Sequence, residues 1–405
     1  MSFIQKNLLA IQHVFAMFGS TVLVPYITGM DVSLALLCAG FGTLIFHFST
    51  KRMIPAFLGS SFAFIPAIIL TLQNYDPAYL KGGIIAAGIL YLVFAIIVKY
   101  IGSHQINKLL PSIVVGPIII AIGLKLVPVG LAMSGYSDSG VVNYQSLLIA
   151  SLSLLIMVIV SFIQHSFFKL MPILISIAIM YVVCLVLGMV ETSTIINARW
   201  FGFSENTLNN IFLLPKFDFS VILLIAPIGL VTLLEHIGDI KTNGAVVGKD
   251  FMQNPGLNKT LMGDGLATIF AGLLGGPANT TYGENTGVLA ATKNYDPKNL
   301  RLAAVFAIAI AFLGKIVAII QSIPTPVMGG ISLMLFGLIA AVGIRVLVES
   351  KVSFSNYKNL VIPAIIIIIG VFVNSLKITD NFIISGLFIA TVVGIILNKI
   401  LPDNI

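Results

Sequence analysis

A glutamate stands inside each of two apolar stretches long enough to cross a membrane. The first reads Leu230-Val231-Thr232-Leu233-Leu234-Glu235-His236-Ile237-Gly238-Asp239. The second reads Gly276-Pro277-Ala278-Asn279-Thr280-Thr281-Tyr282-Gly283-Glu284-Asn285-Thr286-Gly287. A carboxylate near the bilayer centre costs about 3 kcal/mol on insertion scales, so it marks a pathway or a binding site by default. In the first stretch the four-residue spacing places Glu235 and Asp239 on one helix face, with His236 about 100° round. Two acids held together away from water do not both ionise easily. That suits a group that takes up a proton on one side and releases it on the other. Asp239, Glu235 and His236 are therefore the candidates for proton coupling. The alternative for Asp239 is a helix end at the membrane boundary.

In the second stretch Pro277, Asn279 and Gly283 interrupt the helical run. A helix that restarts there leaves free N–H groups near Gly283, with the positive end of its dipole facing a binding space. A flat ligand with both C=O and N–H groups could use both partners: its carbonyl would accept from the backbone and its ring N–H would donate to Glu284. Tyr282 lies beside this point, and Asn279 and Asn285 would support the loop. The rival reading is a structural kink. A counterpart interruption, Gly59-Ser60-Ser61-Phe62-Ala63, lies near the N-terminus. Phe62 could stack on a flat ring while its own N–H binds a carbonyl, with Ser61 beside it; taken alone, a Phe in an apolar span is core or lipid-facing filling. Lys315 and Asp264 are expected to pair or to reach the interface. Gln12, His13 and His47 lie near span ends. Cys38 and Cys184 fall in apolar spans, so no disulfide framework, metal site or cofactor is expected.

The elements that carry these residues follow from composition. The chain has 405 residues, 58% hydrophobic and only 9% charged, with a mean hydropathy of +1.07, against roughly 25% charged in soluble domains. Its solvent is lipid. Long Leu/Ile/Val/Ala/Gly runs without alternation indicate helices rather than barrel strands. The net charge of +7 is scattered through short loops, which argues against a nucleic-acid surface.

Fourteen spans are expected, near 8–28, 33–49, 54–72, 82–100, 109–131, 146–164, 169–190, 219–239, 259–275, 277–292, 301–320, 324–343, 360–375 and 382–400. The third and tenth should hold extended backbone flanked by half-helices. The first reads as a retained helix, not a cleaved leader. With both termini in the cytoplasm, outer loops hold only Lys81, Arg199, Lys216 and Lys377, Lys125 and Lys315 sit in spans, and the other basic residues, including Lys108 and Lys169, fall inside. That bias supports both span count and orientation. The long loop from Glu191 to Phe219 then lies outside, with Trp200 as an interfacial anchor. Pro111-Ser-Ile-Val114-Val-Gly116-Pro-Ile118 is echoed by Pro324-Thr-Pro-Val327-Met-Gly329-Gly-Ile331, and Gly130 by Gly343 at the same offset. Seven spans separate the copies, an odd number, so the halves must be inverted. Inverted repeats with broken helices at matching places mark secondary transporters. No Walker-type sequence is present.

At these residues the chain resembles the nucleobase–ascorbate transporter family, and within it the bacterial uracil permeases. The family signature (Gln, Glu or Pro, then Asn-x-Gly, four free positions, Thr, and a basic or small residue) stands as Glu284-Asn285-Thr286-Gly287-Val-Leu-Ala-Ala-Thr292-Lys293. The runs Asn279–Asn285, Pro55–Phe64 and Pro326–Ser332 are similar as well. The resemblance runs nearly end to end. It implies an all-α polytopic fold of fourteen segments in a 7+7 inverted repeat, with short strands in broken segments 3 and 10. Core-domain parts would be 1–108 and 219–322, and gate-domain parts 109–218 and 323–405. It implies Glu235 and Glu284 on a pyrimidine, N–H groups of Phe62 and Gly283 on its carbonyls, proton symport across a bacterial inner membrane, and a homodimer. Asp239 stands where uracil permeases carry His, and Phe336 where they carry Tyr. Because uracil presents two ring N–H donors, two carboxylates suit it. The alternatives are a purine or ascorbate symporter, a passive channel or anion exchanger, and an intramembrane enzyme using Glu235 and His236. No serine or cysteine nucleophile motif accompanies the last.

Overall fold

The computed structural model describes residues 3–102, 111–137, 140–163, 171–379 and 382–402; Lys108 and Lys169 of the inner loops lie outside these. The order of elements is α1 (Phe3–Thr28), α2 (Val32–Ser49), β1 (Leu58–Ser60), a 3-10 turn (Phe62–Phe64) leading into α3 (Ile65–Asn74), α4 (Pro77–Ile101), α5 (Ser112–Met133), α6 (Tyr144–Phe162) and α7 (Pro172–Val186). Two short helices follow outside the spans, α8 (Thr192–Asn197) and α9 (Glu205–Phe212). The second half runs α10 (Phe219–Ile225), α11 (Ile228–Val247), α12 (Leu257–Leu274), β2 (Asn279–Thr281), α13 (Gly283–Thr292), α14 (Pro297–Ala311), α15 (Gly314–Gln321), α16 (Thr325–Glu349), α17 (Lys358–Phe372), β3 (Ser375–Thr379), β4 (Phe382–Ser385) and α18 (Gly386–Ile400).

Among the described residues, seven helical segments are long and apolar enough to cross a membrane, counting α10 and α11 as one. The pair α14–α15 forms an eighth, bent by 83°. The remaining expected spans are the shorter apolar helices α3, α7, α17 and α18, the polar-spotted α12, and α13.

Packing repeats with the sequence. α4 packs on α12 and α14 on α2; α17 on α5 and α6 on α16; α17 on α18 and α6 on α7. Each of these pairs is the image of the other, seven spans on. The pairs α2–α12, α5–α16 and β1–β2 are their own images and mark the pseudo-twofold axis. Glycines let the axis helices approach. A Cβ on Gly116 would meet the Gly343 carbonyl at 2.9 Å, and one on Gly329 would meet the Ser134 nitrogen at 2.7 Å. These are the same glycines that recur in the sequence repeat. Small residues at helix crossings are what close packing in lipid requires.

Three expectations are corrected. The broken spans carry a helix on one side only; the segments before β1 and β2 are extended, not half-helical. α11 runs on to Val247, past the expected span end at 239, which sets aside the helix-end alternative for Asp239. Lys81 is not in an outer loop but in α4, almost fully buried. Its ammonium donates to the carbonyls of Asn210 (2.8 Å) and Leu213 (2.5 Å), at the end of α9. Lys125 donates likewise to Gly370 and Val373 at the end of α17, and Lys315 to Ile195 and Ile196 at the end of α8. Each in-span lysine thus satisfies last-turn carbonyls and the negative end of a helix dipole. That accounts for these cations without a ligand.

Candidate functional site

The site is built on the two broken spans. β1 and β2 pair antiparallel, Leu58 with Thr281, Gly59 with Thr280 and Ser60 with Asn279. One residue after each strand a helix begins, at Phe62 and at Gly283, and neither start has a side-chain cap. Their first-turn N–H groups are therefore free of the usual Ser, Thr, Asn or Asp partner. Strand pairing places these two positive helix ends close together in the middle of the fold.

Local contacts explain why the sequence breaks here. The Tyr282 ring lies flat on Gly59, where a Cβ would meet its hydroxyl oxygen at 2.7 Å. The Tyr282 hydroxyl donates to the Ser60 carbonyl at 2.9 Å. Asn279 donates to the Cys38 carbonyl at 3.0 Å, tying β2 to α2. Asn285 donates to the His13 carbonyl at 2.9 Å, tying α13 to α1. Asn243 donates to the Pro55 carbonyl (3.0 Å) and to Thr286 (3.2 Å). Tyr282, Asn279 and Asn285 thus spend their side chains on holding backbone. Ser61 is fully buried and its hydroxyl has no partner. The Phe62 ring meets Phe336 of α16 edge to face, centroids 6.4 Å apart.

The acids gather beside these helix starts. Glu284 occupies the first turn of α13 and is exposed, as is Gly283. Glu235 and Asp239 are half-buried on the facing side of α11. A Cβ on Gly283 would stand 3.5 Å from Asp239 Oδ1, and α11 packs against α13, with Glu235 one turn before Asp239 on the same face. Thr281 links this group to a second layer. Its hydroxyl donates to Asp239 Oδ2 at 3.2 Å and lies 3.4 Å from His236 Nδ1. His236 Nδ1 is in turn 2.8 Å from Asp264 Oδ2, both side chains fully buried. Asp264 therefore pairs with His236, not with Lys315 as the sequence suggested. The reason is geometric: α12 packs against α2 and α4 in the interior, whereas Lys315 is held at the end of α8.

From the acids, one stripe of residues leads to the surface. On α11 it runs Glu235, Asp239, Thr242, Ala245; on α13 it runs Gly283, Gly287, Ala290, Ala291, all partly or fully exposed. Nothing lies within 4 Å of a Cβ built on Gly238 or Gly287. Lipid-facing stripes elsewhere carry large side chains such as Ile89, Val93 and Ile96 of α4. A stripe of Gly, Ala, Thr and carboxylates is unsuited to lipid and fits the wall of a cleft instead. The stripe runs toward the C-terminal ends of α11 and α13, which Lys249 and Lys293 follow.

Two contributors escaped the sequence reading. Ser20 of α1 donates to Glu284 Oε1 at 2.5 Å. Thr281 bridges Asp239 and His236. A small polar residue inside an apolar span was the available signal, but α1 and β2 hold several such residues and only pairing across the fold separates them.

Comparison with known proteins agrees with this architecture. The family model described as Permease family matches residues 4–378. A uracil permease of Bacillus caldolyticus is 45% identical over 98% of this chain and 92% of its own. Those of Bacillus subtilis and Escherichia coli K12 are 41% and 40% identical, each over 97% of this chain and over 92% and 90% of their own. Among solved structures, the transmembrane domain of the cyanobacterial bicarbonate transporter BicA superposes with a TM-score of 0.66 at 18% identity, covering 97% of this chain and 98% of that one. SLC26A9 gives 0.67 at 11% identity, over 98% of this chain and 64% of that one. These two share the inverted-repeat fold. The chain therefore belongs to the permease family, as a multi-pass membrane transport protein and not an enzyme.

Proposed function

We propose that this permease carries uracil into the cell together with protons, by alternating access. One observation carries the reading: Glu235 and Asp239 of α11 and Glu284 of α13 sit on helices that pack against each other, beside the two uncapped helix starts at Phe62 and Gly283. Uracil offers two ring N–H donors and two carbonyl acceptors on a flat frame. Carboxylates only accept and backbone N–H groups only donate, so the site is its chemical complement. Glu235 and Glu284 take the ring N–H edges, the N–H groups of Phe62 and Gly283 take the carbonyls, and Ser61 supplies its unspent hydroxyl. Full-length relatives named uracil permeases support the choice of base.

Asp239 is the proton carrier in this scheme, with Glu235 second. Asp239 touches Thr281, which reaches His236, which is held by Asp264. That chain of polar groups lets His236 sense or pass a proton without meeting the substrate. Spans 1–4 and 8–11 act as a core that carries the site, and spans 5–7 and 12–14 as a gate. Packing favours this division, since α5, α6, α7, α16, α17 and α18 find most of their partners among themselves. The basic bias of the loops puts both termini in the cytoplasm of a bacterial inner membrane. In that orientation the cleft opens inward. A second copy of the chain completes a homodimer, as the family resemblance implies.

The structural neighbours BicA, a bicarbonate transporter, and SLC26A9, an anion transporter, point to a rival reading, an anion transporter on the same fold. The acids argue against it, because carboxylates lining the cleft repel anions. Uptake of radiolabelled uracil into proteoliposomes decides. An acid-outside gradient should drive saturable accumulation, with cytosine, xanthine, ascorbate and bicarbonate competing poorly. Uptake that ignores the gradient, or that bicarbonate inhibits first, would sink the reading.

A further inference from the structure

We propose that Ser20 is a positioning residue that decides which atom of residue 284 meets the substrate. The inference rests on the uracil reading above and deepens it. Ser20 is fully buried in α1. Buried hydroxyls in these helices mostly turn back on their own helix: Ser134, Ser153, Ser332 and Thr391 each donate to the carbonyl four residues earlier. Ser20 instead reaches across to Glu284 Oε1 at 2.5 Å. Its position is fixed by neighbours on the same helix. The His13 carbonyl accepts from Asn285, the Thr21 carbonyl accepts from Ser60 at 3.3 Å, and the Thr21 hydroxyl lies 3.4 Å from that of Tyr282. α1 is therefore locked to both broken spans at this level.

The chemistry follows from donor and acceptor counts. A serine hydroxyl donates one hydrogen, and it occupies one oxygen of the carboxylate. The other oxygen is left to the cleft, where Glu284 is exposed. With a carboxylate at 284, the group presented to a ligand is an acceptor. With an amide there, a Ser20 that keeps its role as donor holds the carbonyl oxygen and turns the NH2 outward, so the group presented becomes a donor. Ser20 thus converts the choice between Glu and Gln at 284 into a choice between ligands with an N–H edge and ligands with a ring-nitrogen lone pair. Without Ser20 the side chain at 284 loses the contact that selects which atom faces the cleft, and the choice blurs.

The test is calorimetric binding of uracil and of cytosine, whose N3 carries a lone pair, to the purified full-length protein and its variants. Ser20→Ala should weaken uracil about tenfold, the loss of one charge-assisted hydrogen bond. Ser20→Thr, which keeps the hydroxyl, should stay within about twofold. Maximal transport rate in proteoliposomes should change little in either, because the effect lies in binding. Glu284→Gln should reverse the preference toward cytosine, and adding Ser20→Ala to it should shrink that reversal. Thermal unfolding of each variant monitors folding; should Ser20→Ala fail to fold, Ser20→Cys, a near-isostere with a weak donor, takes its place with the same expected loss. Wild-type affinity in the Ala or Cys variant, or a Glu284→Gln preference indifferent to Ser20, overturns the inference while leaving the uracil reading intact. A wild-type protein that binds no uracil overturns the uracil reading itself.

Discussion

The two broken spans share a backbone and differ in chemistry. Each has a three-residue strand, a single linking residue and an uncapped helix start. In the first half that start reads Phe62-Ala63-Phe64, all buried. In the second it reads Gly283-Glu284, both exposed to the cleft. Inverted duplication supplies two positive helix ends for nothing beyond repeating the fold. An anionic partner was placed against them from the second half alone, through Glu284 and the facing acids of α11. The first half answers with a hydroxyl, an aromatic ring and α1. Symmetry thus builds the frame, and departure from it supplies the acids on which the proposed site rests.

The largest effect should fall on the second half. Glu235→Gln is expected to cut uracil uptake by about a hundredfold or more, since a charged acceptor is lost in a poorly solvated site. Measured side by side in proteoliposomes, Phe62→Ala should cost clearly less; equal losses would erase the asymmetry. Next comes the contact that joins the halves. Gly59→Ala drives a methyl group into the Tyr282 ring and should destabilise the protein by about 1–3 kcal/mol, read as a lower unfolding temperature in detergent. An unchanged temperature would mean that the strands do not depend on this fit. Asp239→Asn should retain uracil binding, yet lower gradient-driven accumulation by about tenfold, with counterflow exchange at constant pH preserved. If exchange falls equally, Asp239 belongs to substrate binding and not to proton coupling. The smallest effect is Ser61→Ala, about a threefold rise in the half-saturating uracil concentration, in line with one neutral hydrogen bond.

Charge inside the spans repeats the lesson. Lys81, Lys125 and Lys315 are each fastened to two carbonyls at a helix end, so their charge is met by the negative end of a helix. Among the described residues no Lys or Arg is paired with Glu235, Asp239 or Glu284, and the side-chain partner of Asp239 and of Glu284 is a single hydroxyl. An intramembrane charge that the fold leaves short of partners is a candidate for function, and by that measure these six residues divide into acids and lysines.

Much of this was legible in the chain. Fourteen apolar runs, the glycine and proline breaks at 59 and 283, and the Pro111/Pro324 repeat are local patterns, and local patterns survive folding. The strand pairing at 58–60 and 279–281 follows from extended backbone at matching places in an inverted repeat. Other features were not legible. The bend of 83° between α14 and α15 and the hairpin of β3 with β4 lie in runs whose hydropathy is unremarkable. Asp264 looked equally able to serve Lys315 or His236 until α12 was packed. Ser20 is one of several small polar residues in apolar spans, and nothing in its own neighbours points to Glu284, 264 residues away.

The sequence by itself determined the solvent, the span count, the inversion and the two places where helices must break. Hydrophobic length and glycine or proline chemistry act within a few residues and need no partner. Only the tertiary structure decided which polar atoms meet: His236 with Asp264, Thr281 with Asp239, Ser20 with Glu284. In lipid a buried polar atom gains from any partner it can reach, so composition lists the candidates, and helix packing selects among them.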